Sequence, residues 1–94
     1  MEKYLPIGTV VLLEGGNKRL MIIGYKAIDN ETSKVYDYVG CAFPEGTLAS
    51  DENFLFNHDS IYQIHLSGME NDEEFLDFQD RLKKIDAENE EKDG

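Results

Sequence analysis

Tyr36-Asp37-Tyr38-Val39-Gly40-Cys41-Ala42-Phe43-Pro44-Glu45-Gly46 decides how the rest of the chain is read. Aromatic and β-branched residues favour a pleated strand, and Pro-Glu-Gly ends it in a sharp turn. Upstream, Leu20-Met21-Ile22-Ile23-Gly24-Tyr25 is nearly all apolar and too short and β-branched to prefer a helix, so it reads as the hairpin partner. The two form the middle of a small sheet. Val35, Asp37, Val39 and Cys41 share one face of the strand, and Tyr36, Tyr38, Gly40 and Ala42 the other. Neither face is cleanly polar, which marks a central strand. Asp37 needs a hydrogen-bond partner there, because burying a carboxylate alone is costly. A turn amide or a tyrosine is the structural reading; a polar contact on a binding face is the functional one.

Outward from this hairpin, Thr9 to Leu13 is rich in strand formers, and Gly15-Gly16-Asn17 supplies the positive φ angles of a tight turn. The Gly-Gly pair has no Gly-Lys-Ser/Thr ending and no helix after it, so it does not read as a phosphate loop. Gly24 within the second strand, Arg19 to Ala27, points to a bulge or bend. The third strand spans Lys34 to Phe43. Phe54-Leu55-Phe56 is a short strand, and Asn57-His58-Asp59-Ser60 a turn or single helical turn. In Ile61 to Leu66, Tyr62, Ile64 and Leu66 alternate with Gln63 and His65, the pattern of a half-buried edge.

At Asn71 the period changes. Asn71 and Glu74 resemble a capping box, with acidic residues at the positive end of the helix dipole. Phe75, Phe78, Leu82 and Ile85 then recur at three- and four-residue spacing, with Leu76 beside them, as one apolar stripe. The stripe either packs on the sheet or docks a partner helix; with acidic neighbours, Phe75 and Phe78 suit a helix rich in lysine or arginine. The expected architecture is α+β, mainly β: about five antiparallel strands in a small SH3-like or partly open barrel over 1–69, an amphipathic helix over 70–86, and a disordered acidic tail over 87–94.

Ninety-four residues make one domain with a modest core. A net charge of −11 argues against nucleic acid and anionic membranes as partners. No basic segment followed by an apolar run opens the chain, and no apolar stretch approaches the roughly 20 residues that cross a bilayer, so a cytoplasmic location is expected. The single cysteine, Cys41, reads as a packed core thiol rather than a nucleophile. His58 and His65 lack two further ligands at convergent spacing, and no Ser-His-Asp arrangement or nucleotide loop is present. No enzyme activity, cofactor or metal is therefore expected.

The motifs Leu5-Pro6-Ile7-Gly8-Thr9-Val10-Val11-Leu12-Leu13, Leu20-Met21-Ile22-Ile23-Gly24, Tyr36-Asp37-Tyr38-Val39-Gly40-Cys41 with Pro44-Glu45-Gly46, and Phe56-Asn57-His58-Asp59, in this order, resemble the domain-of-unknown-function family 4176 of Gram-positive bacteria. Its members are commonly encoded beside LXG toxins of the type VIIb secretion system. The resemblance implies a cytoplasmic accessory or chaperone protein that binds the toxin's helical N-terminal region, or the small helical partners, for export. The alternative is an immunity protein that neutralises a toxin domain, since strong acidity suits a basic nuclease cleft. A small-ligand sensor or enzyme built on a barrel mouth is a third reading. Tyr36, Tyr38, Pro44, Phe56, Asn57, His58, Phe75 and Phe78 are the expected partner contacts, because aromatic and turn-borne groups are enriched at interfaces. The edge strand and the helix stripe are also both compatible with a homodimer.

Overall fold

A computed structural model describes residues 4–47 and 53–93. Five strands form: β1 (Val10–Leu13), β2 (Leu20–Ile28), β3 (Val35–Ala42), β4 (Phe54–Phe56) and β5 (Ile61–Leu66). A 3-10 turn at His58–Ser60 precedes β5, and one helix, α1 (Glu73–Asp93), follows it. The sheet order is β4-β3-β2-β1-β5, antiparallel at every pairing. The first four strands meander, and the 3-10 turn then carries the chain across to β1. The sheet therefore stays open, with β4 and β5 as its edges, and the α+β architecture read from the sequence holds in its partly open form.

The turn chemistry explains the hairpins. Gly15 sits at φ +75°, and the Gly16 N–H donates to the Leu13 carbonyl at 3.0 Å. At Gly24 the register shifts: Ile22 faces Gly40 and Gly24 faces Val39, leaving Ile23 as an extra residue on β2. A Cβ at Gly24 would lie 2.7 Å from Val39 Cγ1, so any larger residue at this bulge would force the Val39 side chain to shift.

One face of the sheet carries the main core. Val11, Leu20, Ile22, Tyr38 and Phe56 pack there with Tyr4 and Leu5 from the segment before β1 and with Leu82 from α1. Cys41 and Val10 are buried elsewhere in the sheet. Tyr62, Ile64 and Leu66, expected to be half-buried, are 69%, 49% and 59% exposed. The reason lies in the register. Leu66 faces Val10 and Ile64 faces Val11, and likewise Gln63 faces Leu12 and Ile61 faces Leu13. β5 thus gains a residue on β1 twice, and a bulged strand cannot keep a period-two apolar set on one face.

The helix boundaries also differ from 70–86. Asp72, not Asn71, caps the start: its Oδ2 accepts the Phe75 N–H at 3.1 Å and its carbonyl accepts the Leu76 N–H at 2.9 Å. A carboxylate at this position satisfies an otherwise unpaired amide and also meets the helix dipole. The helical backbone continues to Asp93, across the segment expected to be a tail. Ala87, Glu88, Glu90, Glu91 and Lys92 are good helix formers, and extending an existing helix costs far less than starting one.

Candidate functional site

The site begins at Leu5. Its N–H donates to Tyr38 Oη at 3.0 Å, and its carbonyl accepts from Tyr25 Oη at 2.5 Å. Two tyrosines from neighbouring strands thereby clamp Leu5 through the peptide groups on either side of it, and the segment Tyr4–Ile7 is laid across the sheet. Pro6 has no amide to satisfy, which suits it to this crossing. Tyr4 is fully buried and stands edge-on to Tyr25 and Tyr38, with ring centroids 5.7 and 6.0 Å away.

Tyr4 then fixes the helix. Its N–H donates to Gln79 Oε1 at 2.7 Å and its hydroxyl to Asp86 Oδ2 at 2.6 Å. Lys26 forms an ion pair with Asp86, and its ammonium lies 5.2 Å from the Tyr4 ring centroid. Lys26 takes a left-handed backbone at φ +55°, an uncommon conformation for a residue with a Cβ. Burial pushes the Asp86 carboxyl up, but the hydrogen bonds from Lys26 and Tyr4 outweigh it and hold the group below its ordinary value. Burial, then hydrogen bonding to Asp86, raises the Tyr4 hydroxyl. Burial likewise pushes Tyr25 and Tyr38 up to about 12, against the lowering effect of backbone hydrogen bonds. At neutral pH all three hydroxyls keep their protons.

This arrangement decides which side of α1 faces in. The inward line is Phe75, Gln79, Leu82 and Asp86, with Gln79 and Leu82 6% and 3% exposed. The apolar stripe read from the sequence is Phe75, Phe78, Leu82 and Ile85. The two lines do not coincide, because Tyr4 and Lys26 present polar groups that require Gln79 and Asp86 beneath the helix. Phe78 and Ile85 are consequently turned to the border, 42% and 43% exposed.

A groove results between α1 on one side and β2 with Ile7 on the other. The Tyr25 and Phe78 rings meet across it, 5.6 Å between centroids, and divide it into two depressions. The first, about 390 Å³, is lined by Pro6, Ile7, Met69 and Phe75, with Asp72 and Glu74 at its margin. The second, about 480 Å³, is lined by Ile7, Ile23, Gly24, Lys26, Leu82 and Ile85. Glu74, Asp77 and Arg81 edge a further hollow beside Phe78. Ile7 and Met69 are 52% and 71% exposed, so a contiguous apolar surface with an acidic margin is open to solvent.

The residues expected to contact a partner fall into three places. Tyr38 and Phe56 are buried, with ring centroids 5.5 Å apart, and build the core. Asn57 and His58 meet Asp37 in a reciprocal pair of bonds. Asn57 Oδ1 accepts the Asp37 N–H at 3.1 Å, and Asp37 Oδ2 accepts the His58 N–H at 2.9 Å. The partner that Asp37 required is thus a turn amide. His58 Nδ1 also lies 2.8 Å from Tyr38 Oη. Tyr36 is half-buried on β3, and Pro44 is exposed in a turn tied to the β1–β2 loop by Lys18–Glu45 at 2.5 Å. Phe75 and Phe78 line the groove. Ile7, Ile23, Tyr25 and Ile85 complete it and were not among the expected contacts. Ile85 was legible as a member of the apolar stripe, whereas Ile7, in the segment before β1, carried no signal that separated it from a core residue.

Among the described residues, no three His, Cys, Asp or Glu side chains converge as a metal site. No described helix is long and apolar enough to cross a membrane. No curated protein and no solved structure matches the chain. A family model described as a domain of unknown function, DUF4176, matches residues 4–76, most of the sequence, and the chain belongs to that family.

Proposed function

We propose that this protein is a non-catalytic accessory protein, a cytoplasmic chaperone that binds an LXG-type toxin or its small helical partners for type VII secretion. The observation that carries the reading is the groove between α1 and β2: a contiguous apolar surface, opened by the inward turn of Gln79 and Asp86, with acidic groups along its margin. Apolar depressions flanked by polar rims are what helical ligands occupy on small binding domains. The reading takes the partner from the toxin neighbourhood that the family resemblance implies, and the net charge of −11 favours a basic partner surface. Phe75 and Phe78 are the contacts retained from the sequence reading.

Co-expression with the separate halves of a neighbouring LXG toxin tests it. Capture of the helical N-terminal half through an affinity tag on this protein is the expected outcome. Inhibition of the C-terminal toxic domain, with no capture of the N-terminal half, would replace chaperone with immunity protein. Capture of neither half would end the toxin reading.

A further inference from the structure

We infer that the groove takes a single cationic amphipathic helix that runs along α1 and anchors itself by two large apolar side chains seven residues apart. The inference deepens the proposed function and rests on it for the partner's origin, but not for the groove's geometry.

The spacing follows from how the two depressions are divided. On the α1 side, Phe75 belongs to the first depression and Leu82 to the second, while Phe78 lines both. Seven residues of helix rise about 10.5 Å at 1.5 Å per residue. An occupant helix laid alongside therefore reaches both depressions with side chains at i and i+7, two turns apart on one face. The Tyr25–Phe78 contact stands between them as a ridge. A small residue, Ala or Gly, is needed at i+3 or i+4, where a large one would strike that ridge. Gly24 lines the second depression on the β2 side.

The charge follows from the margin. Asp72 and Glu74 edge the first depression, and Glu74, Asp77 and Arg81 the hollow beyond Phe78, so three carboxylates stand there against the Arg81 guanidinium. Of the cations nearby, Lys26 is already held by Asp86. From Glu70 to the end there are eleven acidic and four basic residues, a net of −7 on this side of the sequence. An acidic helix approaching that margin meets like charge, and lysine or arginine flanking the first anchor meets complement. The same excess disfavours a second copy of the chain as occupant.

The probe is a helix-stabilised synthetic peptide with Leu at i and i+7, Ala at i+3 and i+4, and Lys at the outward positions. Binding is read by fluorescence anisotropy. The lysine peptide is expected to bind, with affinity falling as salt rises. A glutamate version and a version with Leu at i and i+5 are each expected to bind at least tenfold more weakly. Phe78→Asp and Glu74→Lys, both at exposed positions and checked for folding by circular dichroism, are each expected to weaken the lysine peptide tenfold or more. No binding of the lysine peptide, equal binding of the i+5 peptide, or full binding by folded Phe78→Asp overturns the inference. The two ideas fail separately: toxin captured equally well by Phe78→Asp sinks the groove alone. Peptide bound as expected, with no toxin captured, sinks the chaperone reading alone.

Discussion

Replacing Tyr38 by Phe removes one oxygen from the middle of the core and leaves its shape unchanged. Tyr38 is fully buried, and its ring keeps Tyr4, Tyr25 and Phe56 as neighbours in the variant. The lost oxygen accepts the Leu5 N–H and bonds to His58 Nδ1. Losing the His58 bond costs about 1 kcal/mol net, and the buried Leu5 N–H left without an acceptor costs about 1–3 kcal/mol. The expected loss is therefore roughly 2–4 kcal/mol, against a total of about 5–15 kcal/mol for a domain of this kind. In a chain of this length each kcal/mol moves the melting temperature by about 4–8 °C, so a fall of roughly 10 °C or more is expected. Urea melts followed by circular dichroism measure the free energy, provided the slope is unchanged. Tyr36→Phe is the control: its hydroxyl makes no hydrogen bond among the described residues, and a change under about 0.5 kcal/mol is expected. A Tyr38→Phe loss as small as the control's would show that Leu5 is not held by Tyr38, and the clamp that positions the groove would be wrong.

Three further outcomes follow from the same packing. Gly68→Ala places a Cβ 2.3 Å from the Ile7 carbonyl oxygen, a backbone atom that cannot step aside alone; thermal melts are expected to show a loss of roughly 1–3 kcal/mol. Leu82→Ala empties the one aliphatic position of α1 that is sealed against the core, with an expected cost of about 2–5 kcal/mol and faster amide exchange in the helix. The Asp86 carboxyl is held below its ordinary value in the folded chain, so its contribution is fully present above the unfolded value of 3.8 and is lost as pH falls through the lower folded value. Melts at neutral pH and below about pH 3 are expected to differ less in Asp86→Asn than in the parent; an unchanged difference would remove Asp86 from the account.

Much of the sheet was legible because its signals are local. Gly15-Gly16 turns the first hairpin, Gly24 marks the bulge, and Asp37 announces a partner that proves to be the His58 amide. What escaped the sequence depends on distant pairs. Tyr4 meets Gln79 and Asp86 across 75 and 82 residues, and nothing near Tyr4 in the chain says that it needs acceptors on a helix. Without that, the apolar stripe of α1 looks like its inward face, and Phe78 and Ile85 look buried. Tyr38 and Phe56 were misplaced for a different reason. An aromatic residue in a strand carries the same local pattern whether it fills a core or faces a partner, and only the third dimension separates the two. β5 shows the converse: its alternation is real, but two register shifts against β1 cancel the burial that alternation normally signals.

On the proposed function, a partner protein sits in the groove between α1 and β2. Amide-resolved magnetic resonance of the isotope-labelled chain, titrated with the N-terminal helical region of an LXG toxin, tests it directly. Signals of Ile7, Ile23 to Lys26 and Phe75 to Ile85 are expected to shift together and saturate. Shifts confined to β4, β5 or the Pro44 turn, with those groove signals unmoved, would contradict it.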